Sequence, residues 1–317
     1  MSSSVAIAPS GWLKAFPQPQ FWQWQGFNIC YQVMGDRGPN VVLVHGFGAS
    51  WGHWRKVIPL LAQTCRVYAI DLIGFGASDK PTPGVPLSYT FETWGQQLVD
   101  FSRDIVGSPV FFIGNSIGCI AAMQATIIAP TQCIGVVLIN CSVRMLHERR
   151  RAEIPWHQQL STPLIQSLLG ISWFGRLFFS LVARPTMVRR ALLQAYAQAE
   201  AVTDELVDIL MKPASDPGAA AVFAAFTRYS QGPLPEDLLA RLPCPALILW
   251  GQDDPWEPIE MAKKWATFSQ VEKFVVLENA GHCPQDEVPQ AIIEQVLTWI
   301  ATKTDTLVIT GDGSGVT

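Results

Sequence analysis

The sequence predicts an α/β fold: a mostly parallel, doubly wound sheet carrying an inserted all-helical cap. Three observations point there. Short continuous apolar runs alternate with helix-length stretches. The alternation stops over one central stretch. The length of 317 residues suits two domains, or one large α/β domain with an insertion, at ~150 residues per domain. Hydrophobic residues make up 49% and charged residues 15%. The charged share is well below the ~25% usual in globular proteins, so some exposed face should be apolar, and the apolar share excludes disorder. A net charge of −4 argues against nucleic acid as the main ligand, because phosphate binding needs a basic stripe.

The elements follow in order. Phe21 to Val33 reads as two strands broken at Gly26. The apolar runs Val41–Val44, Val67–Ile70, Val110–Ile113, Val136–Ile139, Leu247–Trp250 and Phe274–Leu277 are continuous rather than alternating. That pattern suits parallel strands covered on both faces. Helical stretches lie between them at Trp51–Ala62, Phe91–Val106, Ile117–Ile128, Ile259–Phe268 and Val288–Thr302. The core is expected at 1–142 and 236–303, with the helical cap at 143–235 lying over the carboxyl edge of the sheet, where open α/β sheets bind ligands. A tail at 304–317, with Gly-Asp-Gly-Ser-Gly, is expected to be flexible.

Seven cysteines cannot all pair, none forms CxxC, and most sit in apolar runs, so a reducing intracellular compartment is expected. Met1 to Gln20 lacks the pattern of a secretory signal. No apolar run reaches the ~18 residues of a spanning helix.

Gly114-Asn115-Ser116-Ile117-Gly118 matches G-x-S-x-G between an apolar run and a helical run. This strand–turn–helix context is the one in which a sharp turn projects a serine hydroxyl out of a sheet. The earlier turn Val44-His45-Gly46-Phe47-Gly48 closes a strand. An acyl-transfer intermediate needs two fixed N–H donors for its alkoxide, and these are expected from Phe47 and Ile117. His45 either braces that turn or competes as a base. Gly251 to Pro258 follows a late strand, and Ala280-Gly281-His282-Cys283-Pro284 follows the next. His282 is the expected base. Asp253 and Asp254 compete as its carboxylate partner, and the G-x-x-D-x-x-x-P spacing of such hydrolases selects Asp254. The glycine-rich loop Asp71 to Ser78 reads as structural. No His-Glu-x-x-His or Cys/His cluster suggests a metal, and no cofactor is expected.

Together these signatures resemble the α/β-hydrolase superfamily across nearly the whole chain. Asp254-Pro255-Trp256-Glu257-Pro258, Gly281 to Glu287, Val41 to Lys56 and Asp71 to Pro81 are similar to the chlorophyll dephytylase and pheophytinase group of photosynthetic organisms. The resemblance implies hydrolysis of the phytyl ester of a chlorophyll-type pigment, chlorophyll or pheophytin, to release phytol. It carries the nucleophile to Ser116, the acid to Asp254 and the base to His282, and it implies a cytoplasmic protein or one peripherally associated with the thylakoid membrane. One departure is Cys119, where many relatives have a second glycine.

In the insertion, Trp173, Phe174, Leu177, Phe178, Leu181 and Val182 recur at helical spacing, while Arg176, Ser180 and Arg184 share another face. One reading is a cap helix packed on the core. The other is a wall of a pocket for a long isoprenoid chain, with Trp256, or a surface that dips into a membrane. The basic run His147 to Arg151, with Arg144, Arg189 and Arg190, is either a solvated face or an attraction for anionic lipid headgroups. A general carboxylesterase, a carbon–carbon bond hydrolase and a non-catalytic pigment or lipid carrier are the alternatives. Epoxide hydrolases and haloalkane dehalogenases use a carboxylate nucleophile, and position 116 is serine.

Overall fold

The computed structural model describes residues 14–84, 86–153 and 155–311. A hairpin opens the chain, β1 (Gln20–Trp24) and β2 (Phe27–Met34). Its two-residue turn has Gln25 and Gly26 both at positive φ, 51° and 85°, which matches the twist of the flanking strands. Six further strands follow: β3 (Asn40–Val44), β4 (Arg66–Ile70), β5 (Val110–Asn115), β6 (Cys133–Ile139), β7 (Ala246–Gly251) and β8 (Val271–Leu277). They form one eight-stranded sheet in the order β1-β2-β4-β3-β5-β6-β7-β8. β2 runs antiparallel to β4, and β3 to β8 are mutually parallel.

The continuous apolar runs have their reason in this topology. Val42 and Val44 pack into one core layer, Val41 and Leu43 into the other. Helices cover both faces, so neither side of the central strands is free to be polar. α1 (Ile58–Leu61) follows a 3₁₀ turn at Trp51–Trp54, so the expected helix Trp51–Ala62 is two short pieces. α2 (Phe91–Phe101) is capped by the Thr90 hydroxyl, which accepts from Thr93 N–H. It ends in a wider turn at Ser102–Val106, closed by Gly107 at φ 75°. α3 (Ile117–Ile128) has the predicted bounds.

Among the described residues, no strand interrupts 140–245. The cap includes 3₁₀ turns at Glu148–Glu153 and Ala199–Ala201 and helices α4 (Trp156–Leu169), α5 (Ser172–Val182), α6 (Pro185–Ala195), α7 (Asp204–Ala214) and α8 (Ala219–Thr227). The chain returns to the core through α9 (Pro235–Leu239), α10 (Ile259–Ala262), α11 (Pro284–Glu287) and α12 (Pro289–Gly311). The predicted helix Ile259–Phe268 is α10 plus a 3₁₀ turn at Lys263–Thr267. The predicted tail at 304–317 begins inside a helix. Lys303 to Thr310 holds no Gly or Pro to stop a helix, and α12 runs on to Gly311. Residues 312–317 lie outside the described residues.

The strand order reverses between β3 and β5. The carboxyl ends of these two strands therefore border a crevice. The His45 turn and Ser116 follow these two ends.

Candidate active site

Ser116 sits where β5 meets α3, at φ 55° and ψ −120°. A non-glycine residue holds such a conformation only when its surroundings over-determine it. Here the Ser116 N–H donates to Ile139 O at 3.1 Å, and the Ser116 carbonyl accepts from Ser142 N and Cys119 N. The flanking glycines are steric requirements. A Cβ on Gly114 would lie 2.5 Å from Cys119 N, and one on Gly118 would lie 2.3 Å from Val44 O. Cys119 fits the turn without a second glycine. Its buried thiol donates toward Gly114 O at 3.1 Å and Ile139 O at 3.5 Å, so it ties the ends of β5 and β6 together.

The turn after β3 lies against this elbow, since a Cβ on Gly46 would stand 3.2 Å from Ser116 Cβ. The Phe47 N–H has no protein acceptor among the described residues. Ile117 opens α3, so its N–H has no carbonyl one turn back. His45 braces the turn. Its Nδ1–H donates to Gly46 O at 2.7 Å, and its Nε2 accepts from Leu72 N–H at 3.0 Å. Burial lowers its pKa to about 4, so it is neutral with both nitrogens engaged. Asp71 is structural too, accepting from the N–H groups of Trp51 and Ala77.

Of the two adjacent aspartates, Asp254 faces inward. Its Oδ1 accepts from Trp256 N and Glu257 N at 2.9 and 3.0 Å. Its Oδ2 accepts from Asn140 Nδ2 at 2.7 Å and His282 Nδ1 at 2.8 Å. Asp253 is exposed. A carboxylate met by four donors fixes the His282 tautomer with Nε2 free to accept a proton. Burial works to lower the His282 pKa, but the hydrogen bond and charge of Asp254 outweigh it, and the pKa stands above the ordinary 6.5.

Three supporting residues were not among those predicted. Asn140, at φ 42°, turns one amide end to Asp254 and the other to Gly251 N–H. The only signal in the sequence is a polar residue at the end of an apolar strand. Glu287 stitches cap to core: Oε1 accepts from Gly281 N and Cys283 N, Oε2 from Ala197 N and Gln198 N. Glu257 accepts from Val143 N at 2.9 Å, and burial pushes its pKa up to about 7.

Glu257 yields a pH prediction. Its folded pKa exceeds the ordinary 4.5, so between those values the folded state keeps a proton that the unfolded chain has lost. Stability falls as pH rises through this window, by about 3 kcal/mol in total. Glu257→Gln keeps the shape and an acceptor for Val143 without the titration. Thermal melts are expected to match wild type near pH 4.5 and to rise by roughly 4–6 °C at pH 8. An equal shift at both pH values would contradict the assignment.

Ser116, Ile117, Phe47, Trp256 and His282 all line one cavity of about 720 Å³. The Trp256 ring lies 5.2 Å from the His282 ring. The far wall is apolar and comes from the cap: Phe179 and Val182 of α5, Met187 and Val188 of α6, and Phe223 and Phe226 of α8. The predicted wall residues Trp173, Phe174, Leu177 and Phe178 are not in it. At 100° per residue, Phe179 and Val182 face inward while Trp173 and Leu177 turn outward, 63% and 52% exposed. Phe174 and Phe178 are half-buried, and the Phe178 ring lies 6.2 Å from Phe223 of α8.

The predicted basic patch also resolves. Arg144 is buried and donates to the carbonyls of Tyr229, Gln231 and Pro233. Arg149 pairs with Asp237, Arg150 with Glu236 and Glu153, and Arg189 with Asp204. These four arginines serve ion pairs and loop carbonyls, whereas Arg151 and Arg190 of the same predicted patch are exposed and enter no ion pair among the described residues.

Comparison with known proteins agrees with this architecture. The chain is 26% identical over 276 residues to the uncharacterized hydrolase YugF of Bacillus subtilis, covering 87% of this chain and 95% of that protein. It is 24% identical to the chloroplastic pheophytinase of Arabidopsis thaliana, over 83% of this chain but 61% of that protein's length. A solved serine hydrolase involved in carbazole degradation superposes with a TM-score of 0.71 at 20% identity, covering 90% of this chain and 98% of the other. The sequence pattern of the alpha/beta hydrolase family matches residues 41–295, and with that match over most of its length the chain belongs to the α/β hydrolase family.

Proposed function

We propose that this hydrolase is a serine esterase for a bulky, apolar ester, with the phytyl ester of chlorophyll-type pigments as its substrate. One observation carries the reading: a strained serine and a carboxylate-bound histidine open onto a large cavity whose far wall is almost entirely hydrocarbon. The likeness to pheophytinase supports the pigment. In this mechanism Ser116 Oγ attacks the ester carbonyl while His282 Nε2 takes its proton. The N–H groups of Phe47 and Ile117 hold the oxyanion. Collapse expels the alcohol, phytol, which receives the proton from His282. Water, activated by the same imidazole, then releases the carboxylate product and restores the serine. Because the base acts unprotonated and its pKa is raised, activity rises with pH through a midpoint above 6.5.

The test compares kcat/KM for chlorophyll, pheophytin and a series of nitrophenyl esters of increasing chain length. Each methylene buried in the cavity is worth ~0.8 kcal/mol, about four-fold in kcat/KM. The expected result is a steady rise with chain length and the highest value for a phytyl ester. A preference for the shortest ester would overturn the reading.

A further inference from the structure

We propose that the outer face of α4, α5 and α6 is a docking surface for an anionic lipid bilayer. Eight of the fourteen exposed large apolar side chains among the described residues fall between Leu164 and Leu193. α4 and α5 meet at 104°, with Ile171 and Trp173 exposed at the corner and Leu177 further along. No single described helix is long and apolar enough to cross a membrane. The geometry therefore suits a surface that lies in the headgroup region with apolar side chains pointing into the acyl boundary.

Charge selects the occupant. Residues 154–199 contain four arginines and no Asp or Glu, in a chain whose net charge is −4. Arg189 is spent on Asp204. Arg176, Arg184 and Arg190 are exposed and enter no ion pair among the described residues. Arg176 lies within the Trp173–Leu177 stretch of α5 and Arg184 is the N-cap of α6, so this surface offers hydrocarbon to acyl chains and guanidinium to phosphates. An interface with a second copy of this chain would bring these unpaired arginines together.

The surface also leads to the cavity. Met187 is 43% exposed and lines it, as do Phe179 and Val182 on the inner side of α5. An apolar ester dissolved in the bilayer could pass between these helices without crossing water, a consequence that rests on the esterase reading above. Docking itself does not depend on it.

The test is co-sedimentation with vesicles of equal parts phosphatidylcholine and phosphatidylglycerol, and with pure phosphatidylcholine. Wild type is expected to bind the anionic vesicles preferentially. At ~1 kcal/mol per basic residue, about five-fold, Arg176→Gln, Arg184→Gln and Arg190→Gln together weaken binding roughly 100-fold. Trp173→Ser with Leu177→Ser weakens binding to both vesicle types. Melting curves check that each variant is folded, and neither readout uses turnover, so failure here is distinguishable from failure of the esterase assignment. Absence of vesicle binding, equal binding to both compositions, or a wild-type dimer that Trp173→Ser and Leu177→Ser convert to monomer would each overturn the proposal.

Discussion

Ser116→Ala is expected to lower kcat for ester hydrolysis by about 10⁴- to 10⁶-fold while leaving the dissociation constant for an apolar ester within a few-fold of wild type. The two expectations separate because they draw on different parts of the site. Binding is expected from the cap wall, where Phe179, Val182, Met187 and Phe223 line the cavity, and the hydroxyl adds little apolar contact. Chemistry requires the oxygen. Without it, His282 retains its bond to Asp254 and the Phe47 and Ile117 amides retain their positions, so a residual rate from water activated by the imidazole remains. Alanine inherits the same φ of 55° and carries a Cβ as serine does, so the elbow should not relax. Single-turnover hydrolysis and quenching of intrinsic tryptophan fluorescence by the bound ester measure the two quantities. A kcat within ten-fold of wild type would exclude serine catalysis, and unmeasurable binding would show that the hydroxyl holds substrate rather than reacting with it.

The parts of this protein that the sequence made legible are those whose chemistry is local. The parallel strands announce themselves because burial on both faces forces continuous apolar runs. The elbow does so because close approach of α3 to β3 demands glycine at position 118. Cap geometry was less legible. Trp173, Phe174, Leu177 and Phe178 have the spacing of a buried stripe, but periodicity does not say which neighbour covers a stripe. The covering helix, α8, arrives some forty residues later, and it leaves Trp173 and Leu177 outside. The basic run at Arg149 to Arg151 was ambiguous for the same reason, since Glu236 and Asp237, which pair with two of its arginines, lie far along the chain. Asn140, Glu257 and Glu287 were missed because each acts through backbone amides or a single distant carboxylate, and such partners leave no periodic trace.

The carboxylate behind the histidine gives the second large effect. Asp254→Asn is expected to lower kcat about 10⁴-fold with KM nearly unchanged, and Asp253→Asn, on an exposed side chain, to be silent. All four neighbours of Asp254 are donors. An asparagine can set its oxygen toward the Trp256 and Glu257 amides, but its NH₂ then points at Asn140 Nδ2 and His282 Nδ1. The imidazole responds by taking the other tautomer, with Nδ1 as acceptor and the proton on Nε2, which then cannot accept one from Ser116. Asn140 cannot flip to help, because its oxygen already accepts from Gly251 N–H. One buried donor is left facing another, which costs about 1–3 kcal/mol of stability. Stability and activity can be pulled apart. Adding Asn140→Asp to the Asp254→Asn protein supplies a carboxylate that accepts from the new amide and still accepts from Gly251. The melting temperature is expected to return toward wild type while kcat stays low, because the wrong imidazole tautomer persists. Recovery of both would mean that the aspartate acts only by holding the loop in place, and loss confined to Asp253→Asn would move the carboxylate role to its neighbour.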